Sequence, residues 1–170
     1  IDAANSQPFS HVHRPGVAVG GHCIPVDPSY LSWRVRKMGY TFRFVELAQE
    51  INAQMPSYTV TRLQDLLNDA GVALSRSKVL CLGAAYKPGV ADCRESPSIE
   101  VMRQLSRKGV TVSYADPLVP SLVLDGAPDP GAQDLRVERA GQAAVGRHEH
   151  DPDGPDLLAL GEDGLGADLA

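Results

Sequence analysis

A cysteine stands directly behind a glycine pair and a histidine in Gly20-Gly21-His22-Cys23-Ile24-Pro25-Val26-Asp27-Pro28, and a carboxylate follows it four residues on. The nucleophilic form of cysteine is the thiolate, which a helix N-terminus favours. Asp27 then Pro28 reads as an N-cap and a first helical residue. Tyr30, Leu31, Val35 and Met38 recur at helical spacing behind them, and Gly39 closes the run. The pattern predicts Cys23 on a tight loop at the mouth of a helix, behind glycines that let a ligand approach the backbone closely. On these residues alone two readings stand: a nucleophile, or a small buried apolar side chain, the commoner fate of a lone cysteine.

A second polar group lies in Gly83-Ala84-Ala85-Tyr86-Lys87-Pro88 and Asp92-Cys93-Arg94-Glu95-Ser96-Pro97. Its setting is readable. Lys78 to Leu82 is a short apolar run, predicted as a buried strand. Ser96 and Pro97 open a helix whose buried side is Ile99, Val101, Met102 and Leu105, and Gly109 ends it. Val110 to Ala115, followed by Asp116-Pro117, is a second strand. Strand, helix, strand makes a βαβ unit, and ligands of such sheets bind beyond the carboxyl ends of the strands. Lys87 and Arg94 fall in that loop. Gly83-x-x-x-Lys87 is not a Walker motif, since the second glycine and the hydroxyl residue after lysine are missing. On these residues alone a solvated lysine and a helix-capping ion pair are the default reading.

Both stretches, in this order, closely resemble one family. Gly-Gly-His-Cys-Ile-Pro-Val-Asp-Pro resembles the catalytic-cysteine loop of the UDP-glucose/GDP-mannose dehydrogenases, above all the branch that oxidises UDP-N-acetylhexosamines; Val26 stands where many members carry lysine. Gly-Ala-Ala-Tyr-Lys-Pro with Asp92-x-Arg94-Glu95-Ser96-Pro97 and a strand ending in Asp116-Pro117 resembles the family's UDP-binding domain, departing at Ala91, where Asp is common. The resemblance spans residues 1–124. It implies an α/β fold: a helical central and dimerisation segment (1–75) with the cysteine loop, then a truncated Rossmann-like βαβ UDP-binding domain (76–124).

The resemblance also implies a chemistry, NAD-dependent oxidation of the C6 alcohol of a UDP-sugar to a uronic acid, a step of polysaccharide biosynthesis. Cys23 would add to the C6 aldehyde as a thiohemiacetal, which is oxidised to a thioester and cleaved by water. Asp27 would position that water. Gly16, Gly20, Gly21, Tyr86 and Lys87 would contact the nucleotide sugar, and Arg94 the NAD pyrophosphate. The long helix around Asn52-Ala53-Gln54-Met55-Pro56 would build a homodimer. The family's glycine-rich NAD domain and its oxyanion-stabilising Lys and Asn would precede residue 1. The chain then reads as a fragment, an expectation to which the missing initiator Met adds. Two other readings remain: an inactive nucleotide-binding or dimerisation fragment, and an unrelated thiol enzyme pairing Cys23 with His22. The last is disfavoured because adjacent loop residues seldom turn their side chains towards each other.

The remaining elements must position these groups. Ile1 to Ser6 reads as the end of a helix. A helical run begins near Phe42, with Phe44, Val45, Leu47, Ala48 and Ile51 on one face. Tyr58, Val60, Leu63, Leu66 and Leu67 continue it to Gly71. Core packing is the expected role of both stripes. Pro56 marks either a kink or the first turn of a new helix.

Among 170 residues the net charge is −5, but it is uneven. Lys and Arg number 13 against 10 Asp and Glu up to Leu124, then 3 against 11 from Asp125 on. The mildly basic body suits a phosphorylated ligand. No basic run with interleaved aromatics points to nucleic acid. The three cysteines show no framework or Cys-x-x-Cys spacing, and His11 and His13 have no neighbouring metal partners. No metal is expected, Cys81 reads as core and Cys93 as incidental. Without a signal peptide or long apolar run, a cytoplasmic protein with no membrane contact is expected. Residues 125–170 lack Phe, Tyr and Trp and are crowded with Pro, Gly, Asp and Ala, with Leu157 to Leu160 as the one apolar cluster. They read as an aberrant, disordered tail, from a shifted frame or altered terminus, that leaves the sheet ending at its second strand.

Overall fold

The computed structural model describes residues 1–12, 16–124, 135–136, 138–139 and 157–160. After a single-turn helix α1 (Asp2–Asn5), the cysteine loop leads into α2 (Asp27–Lys37) and the long α3 (Arg43–Asp69). Gly39, at φ +86°, ends α2, and its amide bonds back to the Arg36 carbonyl. A glycine is required there because the left-handed turn crowds any Cβ. Asp27 is the first residue of α2 and Val26 caps it, one position earlier than expected. The Asp27 carboxylate therefore sits in the first turn, where it favours the helix dipole without making a side-chain cap. Ser32 Oγ donates to Glu46 Oε1 at 3.1 Å, and Arg36 pairs with the same carboxylate, tying α2 to α3. Arg36, then Ser32, hold the Glu46 carboxyl below its ordinary range.

Pro56 lies inside α3, which runs through it as one helix. Proline removes one amide from the ladder; its ring is buried, so packing compensates for the lost bond. The two apolar stripes of α3 part company. Val60, Leu63 and Leu67 are buried, as expected of core residues. Phe44 is 84% exposed, and Leu47, Ile51, Tyr58 and Leu66 are exposed as well, so core packing is corrected for these five. The core with α4 (Pro97–Arg107) meets α3 along the face of Val60, Leu63 and Leu67; Phe44, Leu47 and Ile51 lie in the half tied to the short α2, and Tyr58 and Leu66 lie off the core face of the other half.

β1 (Lys78–Leu82) and β2 (Thr111–Ala115) pair in parallel, Lys78 opposite Thr111 through Leu82 opposite Ala115. With α4 between them they form the βαβ unit expected from the sequence. Val79, Cys81, Val101, Met102, Leu105 and Tyr114 meet α3's inner face in one core.

The sheet does not end at β2. β5 (Glu138–Arg139) adds to β2 and β6 (Leu157–Leu160) to the far side of β1, while β3 (Val123–Leu124) and β4 (Leu135–Arg136) pair antiparallel as a separate two-stranded sheet. The order is β5-β2-β1-β6. This corrects the expectation of a bare edge. The open amides and carbonyls of β1 take up the one apolar cluster that residues 125–170 contain. The expected disorder of the other residues after Leu124 falls outside the described residues.

Candidate functional site

Growth of the sheet reverses at β1: the chain lays β2 and β5 on one side and β6 on the other. Such a switch point opens a crevice beyond the carboxyl ends of the strands. The loop leaving β1 there is Gly83 to Lys87. Asp116, at the end of β2, fixes it: Oδ2 accepts the amides of Ala84 at 2.9 Å and Ala85 at 3.2 Å, and Oδ1 those of Leu118 at 2.9 Å and Val119 at 3.2 Å. Burial pushes the Asp116 carboxyl up, but these amides outweigh it and hold it below its ordinary value.

The two stretches singled out in the sequence meet at this loop. A Cβ added to Gly20 would lie 2.5 Å from the Glu95 carbonyl oxygen, 2.8 Å from Pro97 Cδ and 2.9 Å from Tyr86 Cβ. One added to Gly21, at φ +88°, would lie 2.9 Å from the Tyr86 ring. The glycine pair is thus needed for a seam between the cysteine loop and the βαβ unit. Glu95 holds its side of the seam at φ +52°, a left-handed conformation that costs a non-glycine residue about 1–2 kcal/mol. Ser96 caps α4 through its backbone, and its buried Oγ has no hydrogen-bond partner among the described residues.

Around the seam, Cys23 is exposed at the entry to α2, and its carbonyl accepts the amides of Val26 at 3.1 Å and Asp27 at 2.8 Å. Lys87 Nζ stands 5.4 Å from the centre of the Tyr86 ring. Arg94 is bound to Asp92 through Nε at 3.0 and 3.1 Å and Nη2 at 2.6 Å. Chiefly through that pair, the Asp92 carboxyl is lowered to about 2. Cys23 lies within electrostatic reach of Arg94, and His22 within that of Asp92. The other two thiols are poor nucleophiles. Burial pushes Cys81 up to about 12, and partial burial, with Asp116 and Asp92 nearby, raises Cys93.

Gly20, Gly21, Cys23, Tyr86 and Arg94 are therefore brought together, with Lys87 over the Tyr86 ring. Asp27 is exposed one turn beyond Cys23, and Gly16 is exposed on the loop ahead of the seam. Tyr86 spends one ring face on Gly21. A groove of about 1140 Å³ between α3 and α4 is lined by Ile24, Asn52, Pro97 and Arg103 among others, but neither by Cys23 nor by Lys87. It adjoins the seam through Ile24 and Glu95. Sequence reasoning missed Asp92, Asp116, Gln49 and Asn52 as site residues. Asp116 had a signal, an acidic residue closing a strand. Asn52 had a weaker one, an amide on the inner face of an apolar helix. No trio of His, Cys, Asp or Glu is placed to hold a metal among the described residues, and no helix there is long and apolar enough to cross a membrane.

A reversing parallel sheet with a polar loop at its carboxyl edge, met by an exposed cysteine, defines a nucleotide-binding α/β protein with a thiol at its site. The model of the UDP-glucose/GDP-mannose dehydrogenase family's central domain matches residues 1–54, and that of its UDP-binding domain matches residues 80–145. The chain belongs to this family. The match past Leu124 corrects the expectation that family likeness stops there. The UDP-N-acetyl-D-mannosamine dehydrogenase of Methanococcus maripaludis (strain C7) is 38% identical over 117 residues, 69% of this chain and 26% of that protein. The UDP-D-ManNAc dehydrogenase structure from Pyrococcus horikoshii superposes with a TM-score of 0.63 at 31% identity, covering 75% of this chain and 29% of that one. The native UDP-N-acetyl-mannosamine dehydrogenase structure from Staphylococcus aureus gives 0.51 at 33% identity, covering 69% and 26%. The chain thus spans about a quarter of the length of the relatives it matches.

Proposed function

We propose that this chain is the cysteine-bearing and UDP-binding portion of an NAD-dependent dehydrogenase that oxidises C6 of a UDP-N-acetylhexosamine to the acid. The observation that carries the reading is the seam of Gly20 and Gly21 on Tyr86 and Glu95, which brings the only exposed thiol among the described residues to the nucleotide loop at the sheet's switch point. Residues 1–75 form the central segment and 76–124 the core of the UDP-binding unit. The enzyme is cytoplasmic.

In this reading Lys87 meets the diphosphate and Tyr86 the nucleotide sugar. Gly16 leaves room for the hexose, whereas Gly20 and Gly21 serve the site by closing the seam on Glu95, Pro97 and Tyr86. The Cys23 thiolate attacks the C6 aldehyde, forming a carbon–sulfur bond and a tetrahedral adduct. Once that carbon is oxidised to a thioester, water placed by Asp27 breaks the bond and returns the thiolate. NAD supplies the oxidising equivalents. The described residues do not form a site for it by themselves: the loop after β1 lacks the glycine fingerprint, and Asp116 is engaged by backbone amides instead of being open to a ribose. Arg94 would reach the pyrophosphate from this side. Phe44, Leu47 and Ile51, exposed along α3, would form the homodimer contact.

The test joins this chain to the remaining part of the Methanococcus relative and supplies NAD and UDP-N-acetylmannosamine. NADH and acid form, and Cys23→Ser abolishes the acid, because serine is a far weaker nucleophile near neutral pH. Acid at the parental rate from the serine variant would overturn the role of Cys23. A second reading, a nucleotide-binding piece without turnover, is favoured by the lack of an NAD cradle among the described residues. UDP binding with no NADH from the joined protein would select it.

A further inference from the structure

Helix α3 grips the cysteine loop on both sides of the thiol. Ahead of Cys23, Asn52 Oδ1 accepts the Val19 amide at 2.8 Å, and its Nδ2 donates to the Val19 carbonyl at 2.9 Å. Behind Cys23, Gln49 Nε2 donates to the Pro25 carbonyl at 3.3 Å and to Ser29 Oγ at 2.6 Å. Gln49 and Asn52 lie three residues apart, so one helix face presents both amides. An amide that donates to and accepts from the same residue's backbone imitates a neighbouring β-strand. Leucine can do neither, and an ionised aspartate can only accept.

Position along the loop gives these bonds their meaning. Val19 immediately precedes Gly20 and Gly21, the two residues with the greatest backbone freedom before Cys23. Beyond the thiol, the first turn of α2 already holds the Cys23 carbonyl. The glycine pair is therefore the pivot, and the Val19 clamp fixes it from the N-terminal side. Gly20 must stay against Glu95 and Gly21 against Tyr86 for the thiol to remain beside the nucleotide loop.

We infer that Asn52 is the positioning residue for Cys23, holding the glycine pivot through Val19, with Gln49 as its counterpart at Pro25. The inference takes its chemical meaning from the proposed role of Cys23, but its test reads loop geometry and not turnover, so the two can fail separately.

The experiment uses the full chain and its Asn52→Ala variant. Iodoacetamide labelling of Cys23 is followed by peptide mapping against a small free thiol added as reference, alongside amide hydrogen exchange. Asn52→Ala raises exchange across residues 17–24 about tenfold while β1 keeps its protection. The ratio of Cys23 labelling to that of the added thiol rises about threefold, as the freed loop opens lines of approach to the thiol. An unchanged ratio overturns the inference, even if exchange at Val19 increases. Should Asn52→Ala also loosen β1, Asn52→Asp decides: it keeps the side chain's size and the acceptor for the Val19 amide but loses the donor. A raised ratio in that variant supports the inference, and an unchanged one overturns it.

Discussion

Asp116→Asn tests whether one carboxylate holds the nucleotide loop in place. Its two oxygens accept amides from Ala84, Ala85, Leu118 and Val119, joining the loop after β1 to the loop after β2. Asparagine offers one carbonyl oxygen, so two of the amides keep an acceptor at best and the other two face an NH₂ group. A buried donor left unsatisfied costs about 1–3 kcal/mol, which puts the loss for two of them at about 2–6 kcal/mol. That is a large share of the roughly 5–15 kcal/mol that stabilises a typical domain. Urea unfolding followed by circular dichroism measures it, and hydrogen exchange should show residues 83–87 losing protection first. The pH dependence has a definite sign. The folded carboxyl lies below its unfolded value, so its contribution is complete above about pH 4 and is lost as pH falls through the folded value. The parent protein should therefore lose stability in acid more steeply than Asp116→Asn. A loss under about 0.5 kcal/mol, with matching acid profiles, would refute the stapling role.

Gly20→Ala forces a methyl group onto the Glu95 backbone, which cannot swing aside as a side chain can; we expect about 1–3 kcal/mol of destabilisation in urea, and a midpoint equal to the parent's would show that the seam is loose. Arg94→Ala should let the Asp92 carboxyl rise from about 2 towards its ordinary value in an NMR titration, whereas an unmoved value would assign the depression to another cause. Lys87→Ala should weaken UDP binding to this chain, measured by calorimetry, by about 1.5–3 kcal/mol, while Arg94→Ala leaves it unchanged; equal losses would contradict the division of roles.

The sequence by itself determined the local elements and marked the residues whose types could carry chemistry. Lys78–Leu82, Pro97–Arg107 and the strand ending before Asp116 were legible because apolar periodicity, a Ser-Pro helix start and terminal glycines are local signals. The Cys23 loop and the Tyr86–Arg94 loop were legible as motifs, since the chemistry of glycine, cysteine and lysine depends on residue type and spacing. Tertiary structure decided which of these groups meet. That Gly20 is closed off by the Glu95 carbonyl, or that Asp116 is spent on four amides, depends on contacts between residues far apart in the chain, which no local period encodes. The same holds for α3: its apolar stripes look alike in sequence, yet Leu63 is buried and Phe44 exposed, because Leu63 joins the core with Val101, Met102 and Leu105 and Phe44 does not. Leu157 to Leu160 looked too isolated to fold, until the open edge of β1 supplied the partners that its neighbours in the chain could not.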